Sequence, residues 1–278
     1  VAYQLFSQVP KEKALLWEIS GNGLKKPSYL YGTIHLACPQ DLKTSQTFTE
    51  KFNSTQQLYL EIDLDDSTKL MAASMKGMMM KDGNTMKKLL SEADYKKAAT
   101  FFKEKAPSGY TLDMMGFVKP LMLSSMMLQG MVDCQMASWE GNLITLAKKQ
   151  KMEVLGLEAI EDQFAVFDKI PYTQQAAMFM EYVNDFEKSK KQFTQMQELY
   201  RQQDIEGLYQ TISTGSADYA KFQDVLLDNR NQNWIPVIEK AVEVKPTFFA
   251  VGAGHLGGKK GVINLLRKAG YKLKPIIQ

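Results

Sequence analysis

The sequence contains few of the residues on which several common kinds of site depend. Its 278 residues include two histidines and two cysteines, and arginine occurs only at positions 201, 230 and 267. Because no Cys-x-x-Cys pair is present, a zinc ribbon is excluded. No apolar run approaches the roughly 18 residues that a membrane-spanning helix requires. The formal net charge is only +3 and lysine is dispersed along the chain, so we predict neither a transmembrane segment nor a nucleic-acid partner.

The motifs of the familiar hydrolases and nucleotide-binding proteins are also missing. There is no Gly-x-Ser-x-Gly nucleophile turn, no His-Glu-x-x-His helix, no Gly-x-x-x-x-Gly-Lys loop and no EF-hand spacing. Gly252-Ala253-Gly254 resembles the start of a dinucleotide-binding loop, but the residues after it do not continue that pattern. The chemistry of this chain must therefore lie outside these motif classes.

The first residue and the two cysteines bear on the cellular compartment. Because the chain begins at Val1, we expect that a targeting segment has been removed. If that segment was a signal peptide, the protein is extracytoplasmic, whether periplasmic, secreted or lipid-anchored. Cys38 and Cys134 fit either one disulfide in an oxidising compartment or two buried thiols. The sequence leaves both states of the cysteines open.

What the chain does contain is a pair of matched histidine motifs. His35 ends the run SYLYGTIH and His255 ends the run FFAVGAGH, so each follows a β-prone apolar stretch in the frame Gly-x-x-His-Leu. The copies lie 220 positions apart, and no local constraint makes them match. Imidazole is the commonest metal ligand and exchanges protons near neutral pH. We predict that the two histidines act together; the alternative is that each is a structural residue at a strand end.

Strand patterns cluster near both ends of the chain, with helical patterns between them. Strands are predicted at residues 14–20, 28–34, 57–63, 152–158, 247–251 and 271–277. Helices are predicted at residues 44–53, 141–150, 172–203, 223–244 and 261–268. The turn chemistry of residues 21–27 makes the first two strands a hairpin, and the helix after the second implies a parallel crossover. We predict an α/β fold in one domain over residues 1–278, with a mostly parallel central sheet, an N-terminal hairpin and a large helical insertion.

Residues 67–136 form the most distinctive part of that insertion. Thirteen of the 17 methionines lie between Met71 and Met136, several at helical i, i+4, i+7 spacing. One interpretation is a helical lobe in which methionine is an adaptable core filler. The other is a pliable apolar groove, because Met-rich surfaces repack around varied partners.

Polar residues and glycines follow four of the predicted strands. In open α/β sheets, ligands bind beyond the carboxyl ends of the strands. The candidate side chains at that edge are His35, Glu61, Glu158 and His255. Close backbone approach is expected at Gly32, Gly252 and Gly254. Each glutamate has the alternative of being a solvated strand-end residue. Arg230 is a candidate clamp for a substrate carboxylate or an oxyanion, or else forms an exposed helix salt bridge.

Two histidines with one or two carboxylates suit a divalent metal such as Mn²⁺, Co²⁺, Zn²⁺ or Fe²⁺. We therefore predict that His35, His255 and Glu61 bind a metal, with a position left for water. Such an ion lowers the pKa of its water to about 7 and polarises a substrate carbonyl. A remaining carboxylate, with Glu158 as the candidate, can then transfer the proton to the leaving group.

At the level of motifs the chain resembles the TraB/GumN family, which includes the TIKI proteins. The resemblance covers roughly residues 15–277 and rests on the two Gly-x-x-His frames, the strand 58–63 and the segment 155–158 followed by Gln163. Glu140 stands where an aspartate is more usual. The resemblance implies a fold related to the ChaN and erythromycin-esterase-like group. For TIKI-type members it implies a peptidase that uses Mn²⁺ or Co²⁺, with His35, His255 and Glu61 at its site and Glu158 and Arg230 in support. Members of the GumN type are often exported or lipid-anchored.

Three functions are compatible with these observations. The first is a metal-dependent hydrolase of the peptidase type, acting on a peptide or small-molecule substrate. The second is a metal-free hydrolase in which one histidine is the base and the other an electrophile. The third is a non-enzymatic peptide- or ligand-binding module that uses the Met-rich lobe. An exposed methionine groove, with the imidazoles more than about 10 Å apart, would favour the third, because shared metal ligation needs bonds near 2 Å.

Overall fold

The computed structural model describes residue 10 and residues 12–65, 67–214 and 220–277, apart from the side chains of Ser67 and Lys69. The strands are β1 (Leu16–Gly21), β2 (Ser28–Thr33), β3 (Leu36–Ala37), β4 (Gln57–Ile62), β5 (Ala137–Ser138), β6 (Glu153–Glu158), β7 (Thr247–Gly252) and β8 (Tyr271–Ile276). The first helices are α1 (Gln46–Asn53), α2 (Ser67–Gly77), α3 (Met86–Leu89), α4 (Glu92–Lys105), α5 (Leu112–Met115), α6 (Pro120–Met126) and α7 (Trp139–Lys149). They are followed by α8 (Ile160–Asp168), α9 (Tyr172–Asn184), α10 (Phe186–Arg201), α11 (Ile205–Thr214), α12 (Asn229–Val244) and α13 (Val262–Lys268).

Six strands form one sheet in the order β6-β4-β7-β2-β1-β8. β6, β4, β7 and β2 are parallel to one another, whereas β1 is antiparallel to both β2 and β8. The turn between β1 and β2 has positive φ at Gly21, Asn22 and Gly23, which is the conformation that glycine and asparagine adopt most easily. The predicted fold class is confirmed: an α/β fold with a mostly parallel sheet and an N-terminal hairpin.

The sheet centre is buried because its strands are apolar on both faces. Every residue of β2 is buried, and so is every residue of β7 except the last. α1 covers one face, starting after Ser45, whose side chain accepts a hydrogen bond from the Phe48 amide. Phe48 and Phe52 pack edge-on against Phe248 of β7, with ring centroids 5.3 and 5.0 Å apart. This packing fixes the two strands that carry the histidine motifs.

The chain divides into two compact units. One contains residues 1–67, 137–159 and 196–278, and it includes the six-stranded sheet. The other contains residues 68–136 and 160–195, so the predicted Met-rich segment lies in it together with α8 and α9. Each unit has its own cluster of buried apolar residues. The smaller cluster is built around Phe102, Leu112 and Phe179.

The methionines of residues 67–136 are divided between the interior and the surface. Met86 and Met127 are fully buried in the smaller core cluster, where they fill space as the core-filler interpretation predicts. Met71 and Met75 are 67% and 65% exposed on α2. The exposed pair is what the binding-surface interpretation requires. The core-filler interpretation therefore describes the buried methionines, and the groove interpretation stays a prediction.

The helical region predicted for residues 172–203 is two helices rather than one. α9 ends at Asn184 and α10 begins at Phe186, because Asp185 leaves the helical conformation with φ −143° and ψ 72°. Its side chain accepts a hydrogen bond from the Lys188 amide and so starts the next helix. The helix predicted at 223–244 is also divided, into a π-helical turn at Asp224–Asp228 followed by α12.

Two further features bear on the predictions about location. Both Cys38 and Cys134 are disulfide-bonded, which resolves the choice between a disulfide and two thiols. Within the part of the chain that the structure describes, no helix is long and apolar enough to cross a membrane. This finding is consistent with the prediction that the sequence contains no transmembrane segment.

Candidate functional site

The four parallel strands bring the predicted side chains to one edge of the sheet. His35 follows β2 by two residues, and Glu61 is the penultimate residue of β4. Glu158 ends β6, and His255 ends a 3₁₀ turn, Ala253–His255, directly after β7. Because these strands are neighbours in the order β6-β4-β7-β2, their carboxyl ends lie side by side. The residues that the sequence pattern selected therefore share one region.

Glu61 lies at the centre of this cluster. Its Oε1 atom is 3.8 Å from His35 Nε2 and 3.8 Å from His255 Nε2. The same oxygen accepts a 2.8 Å hydrogen bond from the Gly252 amide, and Oε2 lies 2.6 Å from Arg230 Nη2. Burial raises the pKa of Glu61, but Arg230 and the two histidines lower it by more, so the net pKa is well below its usual range. Glu61 is an ionised carboxylate that accepts from the Gly252 amide and from Arg230.

Arg230 joins the two glutamates. Its Nη2 is 2.5 Å from Glu158 Oε1, and its Nε is 3.0 Å from the same oxygen. Trp234, one helical turn further along α12, donates to Glu158 Oε2 at 3.2 Å, and its ring lies 4.9 Å from the Arg230 guanidinium carbon. The Arg230 side chain is only 12% exposed, so the exposed-salt-bridge interpretation was wrong. The negative charges of Glu61 and Glu158 keep the pKa of Arg230 above its ordinary value. The guanidinium is therefore a fixed positive charge beside Glu61.

His35 is the accessible histidine of the pair. Its Nδ1 donates to Glu140 Oε1 at 3.0 Å, and Glu140 is held in turn by the hydroxyls of Thr33 and Ser138. Partial desolvation by the surrounding protein lowers the pKa of His35, but the Glu140 hydrogen bond and the charge of Glu61 raise it by more, to about 9. The side chain is 63% exposed. His35 can therefore exchange protons with solvent while Glu140 keeps its ring in place.

His255 is the opposite case, because its ring is buried. Its Nδ1 is 2.6 Å from Asn231 Oδ1, and the Trp234 ring lies 4.5 Å away at an angle of 42°. Arg230 Nη1 lies 3.2 Å from Nε2. Burial lowers the pKa of His255, and Arg230 and His35 add to this against the charge of Glu61, giving a pKa of about 3. His255 is a neutral imidazole at neutral pH, and the two histidines of the site differ in charge.

Of the three glycines predicted at the site, Gly252 borders the cluster directly. A side-chain carbon at this position would lie 3.3 Å from Glu61 Oε1, 3.5 Å from His35 Nε2 and 3.6 Å from His255 Cδ2. The absence of a side chain at Gly252 therefore leaves space at the point where these three groups meet. Gly32 and Gly254 serve packing instead: a side chain at Gly32 would meet Leu256 at 2.8 Å, and one at Gly254 would meet Ile212 at 2.4 Å.

The donor set can be tested against the metal that the family resemblance implies. His35 Nε2, Glu61 Oε1 and the Cδ2 edge of His255 border the space beside Gly252, and both Nε2 atoms lie 3.8 Å from Glu61 Oε1. Each imidazole is held through its other nitrogen, which is the usual arrangement around a metal. The types of donor fit. Across residues 12–65, 67–214 and 220–277, however, no group of three His, Cys, Asp or Glu is already arranged to hold an ion. Arg230 Nη1 also occupies the lone pair of His255 Nε2.

Sequence reasoning missed two members of the site and the role of a third. Asn231 and Trp234 were not selected, although both lie within one helical turn of Arg230. Glu140 was noted only as part of the family pattern, not as the partner of His35. For Trp234 the available signal was its spacing of four from Arg230, because residues four apart share a helix face, whereas Asn231 carried no such signal.

Comparison with known proteins adds the family. The profile described as the TraB/PrgY/gumN family matches residues 15–275, which is nearly the whole chain. No curated protein matches the chain significantly. The matched region includes both Gly-x-x-His motifs and the residues around Glu61, Glu158 and Arg230. The chain belongs to the TraB/PrgY/gumN family.

Proposed function

We propose that this protein is a metal-dependent hydrolase of the peptidase type, acting at the His35–Glu61–His255 cluster. The observation that carries the proposal is that both Nε2 atoms lie 3.8 Å from one Glu61 oxygen, beside the space that Gly252 leaves open. Histidines at opposite ends of the chain meet at one carboxylate, as a shared ligand set requires. The family membership supports the same region of the protein.

In this proposal His35, His255 and Glu61 hold a divalent ion, with Mn²⁺, Co²⁺ and Zn²⁺ as the candidates. When bound, such an ion supplies a Lewis acid that activates water and polarises a substrate carbonyl. The resemblance to TIKI-type members favours Mn²⁺ or Co²⁺. The substrate is a peptide or a small molecule with a carbonyl group, and the exposed His35 marks the side from which it approaches.

The other side chains of the cluster position charge. Arg230 presents a guanidinium next to Glu61 and is suited to stabilise negative charge that develops on a substrate oxygen. Glu158 and Trp234 hold that guanidinium in a fixed orientation. Glu140 holds the ring of His35, so that Nε2 faces the cluster. These roles depend on fixed geometry, and each partner contributes by limiting motion.

A metal-free hydrolase is the second candidate, and one contact favours it. Arg230 Nη1 donates to His255 Nε2, so the guanidinium occupies the nitrogen that a metal would bind. In this version Arg230, held partly by its hydrogen bond to His255 Nε2, is the electrophilic side of the site, and Glu61 or His35 transfers the proton. Removal of metal separates the two candidates, because activity that survives chelation belongs to the second.

The binding-module alternative and the extracytoplasmic location remain proposals. The exposed Met71 and Met75 support a binding role for residues 67–136. The imidazoles, each 3.8 Å from the same oxygen, are much closer than the roughly 10 Å separation that this alternative was expected to show. The disulfide-bonded cysteines support an oxidising compartment, as expected for an exported protein.

The proposal is tested by measuring metal content and metal affinity in matched variants. We expect purified protein to bind Mn²⁺, Co²⁺ or Zn²⁺ with about one ion per chain by mass spectrometry and calorimetry. His35→Ala, His255→Ala and Glu61→Gln should each lower the affinity at least tenfold, because each removes one of three donors. Glu153→Gln, an exposed glutamate on β6 outside the cluster, is the matched control and should bind as the parent does.

Activity is measured in parallel with a mixed peptide library and product detection by mass spectrometry. Loss of cleavage after chelation, with recovery on adding Mn²⁺ or Co²⁺, is the expected result. Metal content and cleavage that are unchanged in both histidine variants would overturn the proposal. Cleavage that survives complete removal of metal but disappears in His35→Ala would select the metal-free candidate.

A further inference from the structure

We propose that Asn231 is a positioning residue that holds His255 in a single tautomer, with the proton on Nδ1 and an unprotonated Nε2 that accepts from Arg230. The inference deepens the proposed function and rests on it, because either version of that function needs an unprotonated Nε2. It concerns a residue that the histidine motifs do not contain. The donors and acceptors around Asn231 decide which nitrogen of His255 carries the proton.

The side-chain amide of Asn231 has its two ends assigned by its surroundings. Its Nδ2 lies 3.4 Å from the carbonyl oxygen of His255 and 3.0 Å from that of Lys260. A carbonyl oxygen only accepts hydrogen bonds, so these contacts require the NH₂ end to point at them. Oδ1 therefore faces His255 Nδ1, at 2.6 Å, and an amide oxygen can only accept. The proton of the imidazole must then be on Nδ1.

The opposite side of the ring agrees with this assignment. Arg230 Nη1 lies 3.2 Å from His255 Nε2, and a guanidinium has only donors, so Nε2 must accept. Two independent neighbours thus require the same tautomer. Both belong to the first turn of α12, at consecutive positions, and Trp234 of the next turn packs against the ring face. One short segment therefore sets the protonation pattern, the orientation and the packing of His255.

The burial of Asn231 makes its hydrogen bonds costly to lose. Asn231 is fully buried, and His255 is 4% exposed, so neither amide nor ring exchanges partners readily with water. An unpaired buried polar group costs about 1–3 kcal/mol, so an asparagine here is stable only while its hydrogen bonds persist. An apolar residue of similar size would fill the space without that requirement but would leave Nδ1 without an acceptor.

The tautomer is measured by ¹⁵N NMR of histidine-labelled, metal-free protein above the pH at which His255 titrates. The chain has only two histidines, and in a His35→Gln background the ring signals come from His255 alone. We expect the Nδ1–H tautomer in this background. Asn231→Leu should shift the ratio of tautomers at least tenfold toward Nε2–H, whereas Asn231→Asp should keep Nδ1–H, because Oδ1 still accepts and a protonated Oδ2 can donate to the Lys260 carbonyl.

Asn264→Leu is the matched control. Asn264 is also buried, and its Nδ2 donates to the Lys259 carbonyl in the same loop at 2.7 Å, but it does not contact His255. The control should therefore leave the tautomer unchanged. In the protein with His35 intact, Asn231→Leu should also lower Mn²⁺ affinity about tenfold or more, while Asn231→Asp retains most of it.

Two results would overturn the inference. One is a folded Asn231→Leu protein whose Nδ1–H signal is unchanged. The other is an Asn231→Asp protein in which Nδ1 of His255 is unprotonated. If the leucine variant does not fold, the aspartate variant alone tests the inference. Because the NMR measurement uses neither metal nor substrate, a positive result with no hydrolase activity would reject the proposed function and leave the role of Asn231 intact.

Discussion

At the scale of single residues, the two histidines are alike in sequence and different in state. His35 is exposed and paired with Glu140, which brings its pKa to about 9, whereas His255 is buried between Asn231 and Trp234, and its pKa falls to about 3. The matched Gly-x-x-His frames thus place one charged and one neutral ring around Glu61. The difference comes from neighbours contributed by α7 and α12, which the motif does not include.

The space in front of Gly252 leads to a prediction about this residue. Gly252→Ala should reduce metal affinity and cleavage at least tenfold, because a Cβ would come within 3.3–3.6 Å of Glu61, His35 and His255. The free energy of unfolding should change by less than about 1 kcal/mol. Gly252 has φ −52° and ψ 133°, values that alanine adopts without strain. Calorimetry and urea unfolding measure the two quantities.

Gly254→Ala is the control, and it should show the reverse pattern. Its Cβ would approach Ile212 Cδ1 to 2.4 Å, which forces α11 to adjust and lowers stability by about 1–3 kcal/mol. Metal affinity per folded molecule should fall less than in Gly252→Ala. Equal loss of affinity in the two variants would show that general disturbance of the loop, rather than the space beside Gly252, is responsible.

The residues predicted from sequence were those with a chemical signature. Both histidines and Glu61 meet at the sheet edge, with Glu158 joined to them through Arg230. Asn231 was not predicted as a site residue, because a single asparagine in a helix forms no recognisable motif. Its function depends on a partner 24 positions away, and such a contact is created only by folding.

At the scale of elements, a buried ion pair links α6 with α8. Lys119, which precedes α6, is 1% exposed, and its Nζ lies 2.6 Å from Asp168 Oδ1 and 3.2 Å from the Phe164 carbonyl oxygen. Lys81 reaches the other oxygen of Asp168 at 2.8 Å. A buried lysine is tolerated only while its charge is paired. Asp168, the last residue of α8, supplies that charge.

Asp168→Asn should therefore lower the free energy of unfolding by about 3–5 kcal/mol, because Lys119 would be left as an unpaired buried charge. Asp162→Asn, at an exposed position in the same helix, is the control and should change it by less than about 1 kcal/mol. Equilibrium unfolding in urea measures both. Equal stability of the two variants would contradict the account of Lys119.

The same pair gives a pH dependence with a defined sign. Burial raises the pKa of Asp168, but its bonds to Lys119 and Lys81 lower it by more, so the folded-state pKa lies below the ordinary value of 3.8. The stabilisation is thus fully present above about pH 4 and is lost as the pH falls through the folded-state pKa. Urea unfolding from pH 6 to pH 3 should show this loss in the parent protein and a shallower one in Asp168→Asn.

The order of helices and strands followed the sequence closely, and the exceptions lie where side chains interrupt the backbone pattern. The strands at 28–33, 57–62 and 247–252 begin and end within two residues of prediction. Asp185 divides the region 172–203, because its carboxylate bonds to the backbone and replaces a helical bond. Apolar periodicity alone does not predict this break, because the apolar face continues through Phe186.

At the scale of the whole molecule, the disulfide-bonded cysteines constrain the unfolded chain. Cys38 and Cys134 are both disulfide-bonded, and a disulfide contributes typically about 2–4 kcal/mol by restricting the denatured state. A Cys38→Ser, Cys134→Ser double variant should lose that amount in the free energy of unfolding. Urea unfolding with and without a reducing agent measures it.

The double variant also provides its own control. A reducing agent should destabilise the parent protein and leave the double variant unchanged, because the variant has no disulfide to reduce. A parent protein that is equally stable under both conditions would contradict the predicted contribution. Detection of free thiols in the purified protein would do the same.

The sequence by itself determined the class of fold and the chemically distinctive residues. Apolar β-prone runs, turn residues and helical periodicity are local properties, so the elements, the mostly parallel sheet and the two Gly-x-x-His motifs followed from them. Only the tertiary structure decided which strands are neighbours, that His35 and His255 share Glu61, and that Arg230 lies between two glutamates. Those relations depend on contacts between distant segments, and burial at these contacts sets the charge of each histidine.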